Sequence, residues 1–123
     1  MKKISTEKAP GAIGPYSQAI EVGQFVFTSG QIAINPSTGE VEAETIETQT
    51  EQVMKNLVAV LEAAGTSVKN AVKTTCFLKN MSDFAAFNEV YGRYFTEKPA
   101  RSCVAVAELP KNVLVEVEVI ATK

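Results

Sequence analysis

A chain of 123 residues with no histidine must do any chemistry it does with other groups. The Ser-His-Asp and Cys-His forms of nucleophilic catalysis are closed to it, and so is the commonest metal ligand. Carboxylates, Arg, Lys, Tyr, thiols and backbone amides remain. Two stretches near the C-terminus concentrate such groups. In "PARSCVAV", strand alternation puts Arg101, Cys103 and Ala105 on one face and Ser102, Val104 and Val106 on the other. In "VLVEVEVI", Val113, Val115, Val117 and Val119 line one face, and Leu114, Glu116, Glu118 and Ile120 the other. A carboxylate buried without a partner costs several kcal/mol, so a cation is expected near Glu116 and Glu118. Arg101, on a neighbouring strand of the same subunit or the next, is the candidate.

The other polar residues have plainer readings. Cys76 and Cys103 are far apart in sequence and form no zinc pattern, so both are expected as free thiols. Without a histidine to activate it, Cys103 reads as a small contact residue rather than a nucleophile, and Cys76 as core. The net charge is −2 and the basic residues are dispersed, which leaves no footprint for nucleic acid. No apolar run approaches the roughly 18–20 residues a membrane helix requires. The start, "MKKISTEKAPG", has lysines but no apolar stretch behind them, so a cytoplasmic protein is expected.

These groups need elements to hold them. The length suits one domain, residues 1–123. "SQAIEVGQFVFTSG" reads as a hairpin turning at Gly23-Gln24 in a type II′ connection, and "INPSTGEV" as a second turn. Ile46, Val53, Leu57, Val60, Leu61 and Ala64 then recur at helical spacing, with Thr45 as N-cap and Gly65 just past the end. "AVKTTCFLK" is a strand. Ser82 is placed to cap a second helix, whose Phe84, Phe87, Tyr91 and Tyr94 form an aromatic stripe. "RSCVAVAEL" and "VLVEVEVIA" are the last two strands, joined near Pro110-Lys111-Asn112.

The order predicts an α+β layer with two helices on one face of a sheet. The last strand carries apolar residues on both faces, so the second face also needs a cover. In so short a chain a second copy of itself is the expected cover, and the protein is expected to be a homo-oligomer.

"PARSCVAVAELPKNVLVEVE" resembles the signature region of the RidA (YjgF) family, as do "APGAIGPYSQAI", "TSGQI" and "FNEVYGRYF". The resemblance runs from about Ala9 to Ala121. It implies a chorismate-mutase-like fold, with a mixed sheet of about six strands and two helices on one face. It also implies a homotrimer with a site in each cleft between subunits. The implied activity is hydrolysis of 2-iminobutanoate and 2-iminopropanoate to 2-keto acids and ammonia. Such imines come from pyridoxal-phosphate-dependent dehydratases, which are the implied functional partners. No metal and no bound cofactor are implied. By the same resemblance the carboxylate-binding arginine is Arg101, the site cysteine Cys103 and the site acid Glu116. Tyr16, Gly30 and Asn88 fall on further pocket positions. Two details depart from the family's pattern: "TEKPARS" is shorter than in many members, and Ala33 stands where proline is frequent. Both bear on substrate size.

The chemistry suits the residues. A planar guanidinium binds a carboxylate bidentately. A partly desolvated glutamate is the better base for water aimed at the imine carbon, though Glu116 would also serve merely to neutralise Arg101. Glu118 is assigned to structure or rim, and the aromatic stripe to helix-on-sheet packing. Gly30 reads as a bulge or turn that also opens backbone N–H groups. Two other functions compete. One is a non-catalytic trimer that binds small carboxylates and regulates purine or amino-acid metabolism. The other is a ribonuclease, against which the missing histidine and basic groove argue.

Overall fold

The computed structural model describes residues 1–123. Its period-two segments pair into one mixed sheet. The strands are β1 (Lys2–Ile4), β2 (Ala19–Val22), β3 (Phe25–Thr28), β6 (Ala71–Leu78), β7 (Ala100–Ala105) and β8 (Val115–Thr122), in the order β1-β2-β3-β8-β6-β7. A separate hairpin joins β4 (Ile34–Asn35) to β5 (Glu40–Val41). Only β6 and β7 run parallel. A parallel pair needs a crossover, and α2 (Phe84–Tyr94) supplies it. The other helix, α1 (Ile46–Ala63), precedes β6. The α+β layer of two helices on a six-stranded sheet therefore stands as expected.

Local chemistry explains the element ends. At the β2–β3 turn Gly23 has φ +57° while Gln24 stays at negative φ, as a type II′ connection requires. Thr45 caps α1 by accepting from the Thr48 N–H, and the Thr48 hydroxyl answers to the Thr45 backbone, closing a capping box. At the far end the Thr66 N–H reaches Leu61 O and the Gly65 N–H reaches Glu62 O, the two bonds of a Schellman motif. Ser82 does not cap α2. A 3₁₀ turn over Met81–Asp83 leads into the helix, and backbone carbonyls take the orphan donors: Asp83 N–H bonds Asn80 O, and Phe84 N–H bonds Met81 O. The last two strands are also shorter than predicted. Lys111 and Asn112 adopt left-handed φ of 55° and 54°, which breaks the extended run before Val115.

Burial sorts the two faces of the sheet. Val53, Met54, Leu57, Val60 and Leu61 of α1 meet Val115, Val117 and Val119 of β8, and all are buried. Each such side chain contributes roughly 1.5–3 kcal/mol by leaving water. Phe87, Val90 and Tyr91 of α2 extend the same core. No helix covers the opposite face. There Val22, Phe25, Phe27 and Val104 remain 41–47% exposed, beside half-buried Ile120, Glu116 and Glu118. No helix is long and apolar enough to cross a membrane.

Buried amides bind the loops to this frame. The Asn56 amide of α1 donates to Ile32 O and Ile34 O, both at 3.0 Å. Gln49 accepts from the Leu114 N–H at 2.8 Å and donates to Ala43 O. Gln18 makes the densest set: it accepts from the Thr6 N–H at 2.7 Å and donates to Thr6 O, Ala9 O and Pro10 O. It thereby lashes the segment before β2 to the sheet. Gln18→Ala would leave these backbone groups without partners. Urea denaturation at fixed protein concentration should show a loss of about 2 kcal/mol, with faster proteolysis near Pro10. A loss within experimental error would mean that the segment is held by something else.

Candidate functional site

Strand β6 settles where the candidate residues can meet. Its ladder with β7 pairs Thr74 with Arg101 and Cys76 with Cys103. Its ladder with β8 pairs Phe77 with Glu116 and Thr75 with Glu118. Register partners share a face, and residues three apart on one strand do not. Arg101 and Cys103 therefore lie on the helix side, and Glu116 and Glu118 on the bare side. The two sites are also separated by two strand spacings, about 10 Å, and by three residues along the strand, about 10 Å more. Arg101 and Glu116 of one chain form no ion pair; the salt bridges present are Arg93–Glu51 and Lys123–Glu21. Of the two alternatives left open for Arg101, the same subunit or the next, the register excludes the first, because it sends Arg101 and Glu116 of one chain to opposite faces.

Arg101 sits in a neutral cradle. Its Nη1 donates to Asn88 Oδ1 at 2.7 Å. Its Cζ lies 4.9 Å from the centre of the Tyr91 ring and 5.4 Å from that of Phe84. A guanidinium has five N–H donors, and Asn88 takes the one that has a protein acceptor. Arg101 also lines a concavity of about 320 Å³, with Asn88, Tyr91, Thr96, Lys98 and Pro99 among its other walls. A cation held by an amide oxygen and two rings, with spare donors and a second cation, Lys98, in the same wall, is a receptor for an anion.

Cys103 sits behind Arg101 on the same face, against Cys76, and lines neither this concavity nor the larger one described below. Burial pushes its thiol up, with Arg101 pulling the other way. Burial and the neighbouring Cys103 push the Cys76 thiol up to about 12. Both shifts favour the protonated thiol, which lowers the nucleophilicity of the two sulfurs.

On the other side a cleft of about 450 Å³ holds Glu116, Gly30 and Tyr16, with Ile13, Ile34 and Lys111 around them. A β-bulge aims its floor. Four residue steps separate Phe27 from Gln31, but three separate their partners Ile120 and Val117, so the β3 side carries one extra residue. The Val119 N–H, displaced from the regular ladder, donates to Thr28 Oγ1 at 3.0 Å. The bulge presses Gly30 against Glu116. A Cβ at Gly30 would stand 2.6 Å from Glu116 Oε1 and 2.8 Å from its Cδ. Only the absent side chain lets the carboxyl lie there.

Burial raises the Glu116 carboxyl above its ordinary value, and the negative charge of Glu118 adds to the shift. Tyr16 is in the loop before β2, not in the strand, and is 51% exposed at the cleft mouth. No three Cys, Asp or Glu side chains converge into a metal-ligand cluster.

The sequence-predicted residues thus fall into two half-sites: Arg101 with Asn88, and Glu116 with Gly30 and Tyr16. Sequence reasoning missed the cradle rings of Phe84 and Tyr91, whose spacing looked like packing alone. It also missed Gln18, which lies in the quoted "GPYSQ" but whose burial no pattern announces.

Glu118→Gln should lower the Glu116 titration midpoint, read by carbon NMR of labelled glutamate, but only part of the way to normal, since burial is the larger cause. Gly30→Ala should lower it too, by turning the carboxyl toward water. Its stability cost should be about 1 kcal/mol, because the clashing atoms end a flexible side chain. An unmoved midpoint in both variants would contradict this account of the cleft.

Comparison with known proteins finds relatives in sequence and in overall fold. The profile of the family described as Endoribonuclease L-PSP matches residues 6–123. A RutC family protein of Pyrococcus abyssi is 56% identical over 98% of this chain and 95% of its own length. The 2-iminobutanoate/2-iminopropanoate deaminase of Escherichia coli is 51% identical over 99% of this chain and 98% of its own. The crystal structure of E. coli TdcF with bound serine superposes with a TM-score of 0.95 at 47% identity, covering 100% of this chain and 99% of that one.

Proposed function

This chain belongs to the Endoribonuclease L-PSP family, also called the RidA or YjgF family, and from that premise we propose that it hydrolyses reactive 2-imino acids. The substrates would be small, such as 2-iminobutanoate and 2-iminopropanoate, and the products the 2-keto acid and ammonia. The observation that carries the reading is the Arg101 cradle: a guanidinium held by neutral groups, with no carboxylate of its own chain to satisfy it. A deaminase name on a relative 51% identical supports it.

The working unit of this proposal is a homotrimer with the chorismate-mutase-like arrangement, in the cytoplasm. The two half-sites of one chain face opposite ways, so a complete site needs Arg101 and Asn88 of one copy and Glu116, Gly30 and Tyr16 of the next. The exposed Val22, Phe25, Phe27 and Val104 give the bare face the apolar surface such an assembly would bury.

In this site Arg101 takes the substrate carboxylate with its spare donors, and the imine carbon lies toward Glu116. Water attacks that carbon of the substrate in its iminium form while Glu116 accepts one of the water's protons, giving a neutral carbinolamine. Glu116 returns that proton to the amino nitrogen. The C–N bond then breaks as the hydroxyl proton passes to Glu116, leaving the 2-keto acid and ammonia, which takes the last proton as ammonium. Burial of Glu116 makes it a stronger base than a solvated carboxylate. Imines react with water unaided, so each tenfold gain needs about 1.4 kcal/mol, within reach of binding and orientation.

A second reading is a regulatory trimer that binds small carboxylates without turning them over. The same Arg101 cradle would serve it, and the TdcF structure holds serine, an amino acid rather than an imine.

A coupled assay separates the two. Threonine dehydratase generates the imine, and 2-ketobutyrate release is followed with and without the protein. Acceleration supports hydrolysis, and binding of 2-ketobutyrate without acceleration supports the second reading. Arg101→Ala should cut kcat/KM by about 100-fold, roughly 3 kcal/mol of charge-assisted hydrogen bonding, with the oligomer intact by light scattering. Full activity in that variant would overturn the mechanism. Relative to the uncatalysed rate, kcat/KM should fall as pH drops through the raised Glu116 value, where the base is lost. Glu116→Gln should be slow and without this acid limb.

A further inference from the structure

One buried hydroxyl pair lies directly beneath Arg101, and helix-on-sheet packing does not require it. Thr74 is fully buried and Tyr91 nearly so, at 7% exposure, and their hydroxyls meet at 2.7 Å. A phenylalanine would fill the same volume, as Phe87 does one turn earlier on α2, and would need no partner. Thr74 is also the register partner of Arg101 across β6 and β7. Three contacts close a ring: backbone pairing joins Thr74 to Arg101, a hydrogen bond joins Thr74 to Tyr91, and the Tyr91 face meets the Arg101 cation at 4.9 Å.

We propose that Tyr91, fixed by the buried Thr74 hydroxyl, is a positioning residue that sets the orientation of Arg101 and so the grip on the ligand carboxylate. The proposal deepens the reading above and rests on it. A single hydrogen bond to Asn88 leaves a long side chain free to pivot about that bond. The Tyr91 ring, itself stacked 4.7 Å from Phe95 and tilted against Phe87 at 5.4 Å, removes that freedom. Phe84 closes on the cation from 5.4 Å but has no polar anchor of its own. The two parallel hydrogen bonds to a carboxylate need the guanidinium edge aimed, so rigidity here becomes affinity.

The experiment pairs the threonine dehydratase assay with calorimetric binding of 2-ketobutyrate. Its variants are Tyr91→Leu, Tyr91→Phe, Thr74→Val and Thr74→Ser. Tyr91→Leu should raise both KM and Kd about tenfold, with kcat within about threefold of wild type. Tyr91→Phe keeps the ring but loses the anchor, and should recover only part of that loss. Thr74→Val breaks the same hydrogen bond and should match it, and Thr74→Ser, which keeps the hydroxyl, should restore the wild-type values. A merely structural role lowers the folded fraction, which depresses kcat and leaves KM and Kd alone. Unchanged KM and Kd in Tyr91→Leu and Thr74→Val overturn the proposal. If Tyr91→Leu does not fold, the two Thr74 variants decide by the same criterion. A wild-type protein that binds 2-ketobutyrate without hydrolysing imine sinks the catalytic reading, while the Kd comparison still tests Tyr91. One that does neither removes the premise and the proposal together.

Discussion

Strand β6 hydrogen-bonds to β7 on one side and to β8 on the other, and those two ladders govern the rest of the chemistry. Through one, Arg101 stands opposite Thr74; through the other, Glu116 stands opposite Phe77. The pleat then sends the cation to the helix side and the acid to the bare side. Rotamer changes cannot undo this, because a side chain cannot pass through a hydrogen-bonded sheet. A slip of one residue in either ladder would bring the two groups to one face, and a slip in the β6–β8 ladder would also turn Val115, Val117 and Val119 out of the core. The packing that stabilises the fold is therefore the same constraint that separates the two functional groups.

The two groups are also prepared in opposite electrostatic ways. Arg101 is surrounded by groups that suit a cation: an amide oxygen and two aromatic faces. None of these competes with an incoming carboxylate as an aspartate or glutamate would. Glu116 is half-buried beside Glu118, and both circumstances disfavour its ionised form. One site is poised to hold a charge and the other to exchange a proton. Neither arrangement strengthens the lone chain, and the exposed apolar residues around Glu116 do not either.

Buried amides and hydroxyls do the positioning between these extremes. Gln18, Gln49 and Asn56 each join elements or loops distant in sequence, and Thr28 repairs the ladder where the bulge interrupts it. Every buried side-chain nitrogen and oxygen finds a partner. Such groups stabilise little on net when bonded and cost much when orphaned. They therefore specify one arrangement of the loops around Glu116 more than they raise its stability.

The sequence by itself determined the element types and much of their limits. The helical period from Ile46 to Ala64, Thr45 before it and Gly65 after it are local signals, and the α1 caps followed them. The alternation of "VLVEVEVI" assigned each valine and glutamate to its correct face, since that alternation is a property of one strand. Arg101, Glu116, Asn88, Gly30 and Tyr16 were all legible as residues of interest. Their grouping was not. Nothing in a linear chain states which residue of β6 faces Arg101, that β3 carries an extra residue at Gly30, or that Tyr91 turns its ring under a cation. Those are relations between strands and helices distant in sequence, fixed when hydrophobic burial chose one register out of several with the same local patterns. The tertiary structure alone decided that the cation Arg101 and the carboxylate Glu116 of this chain face away from each other, because only the pairing of three strands orients them on a common pleat.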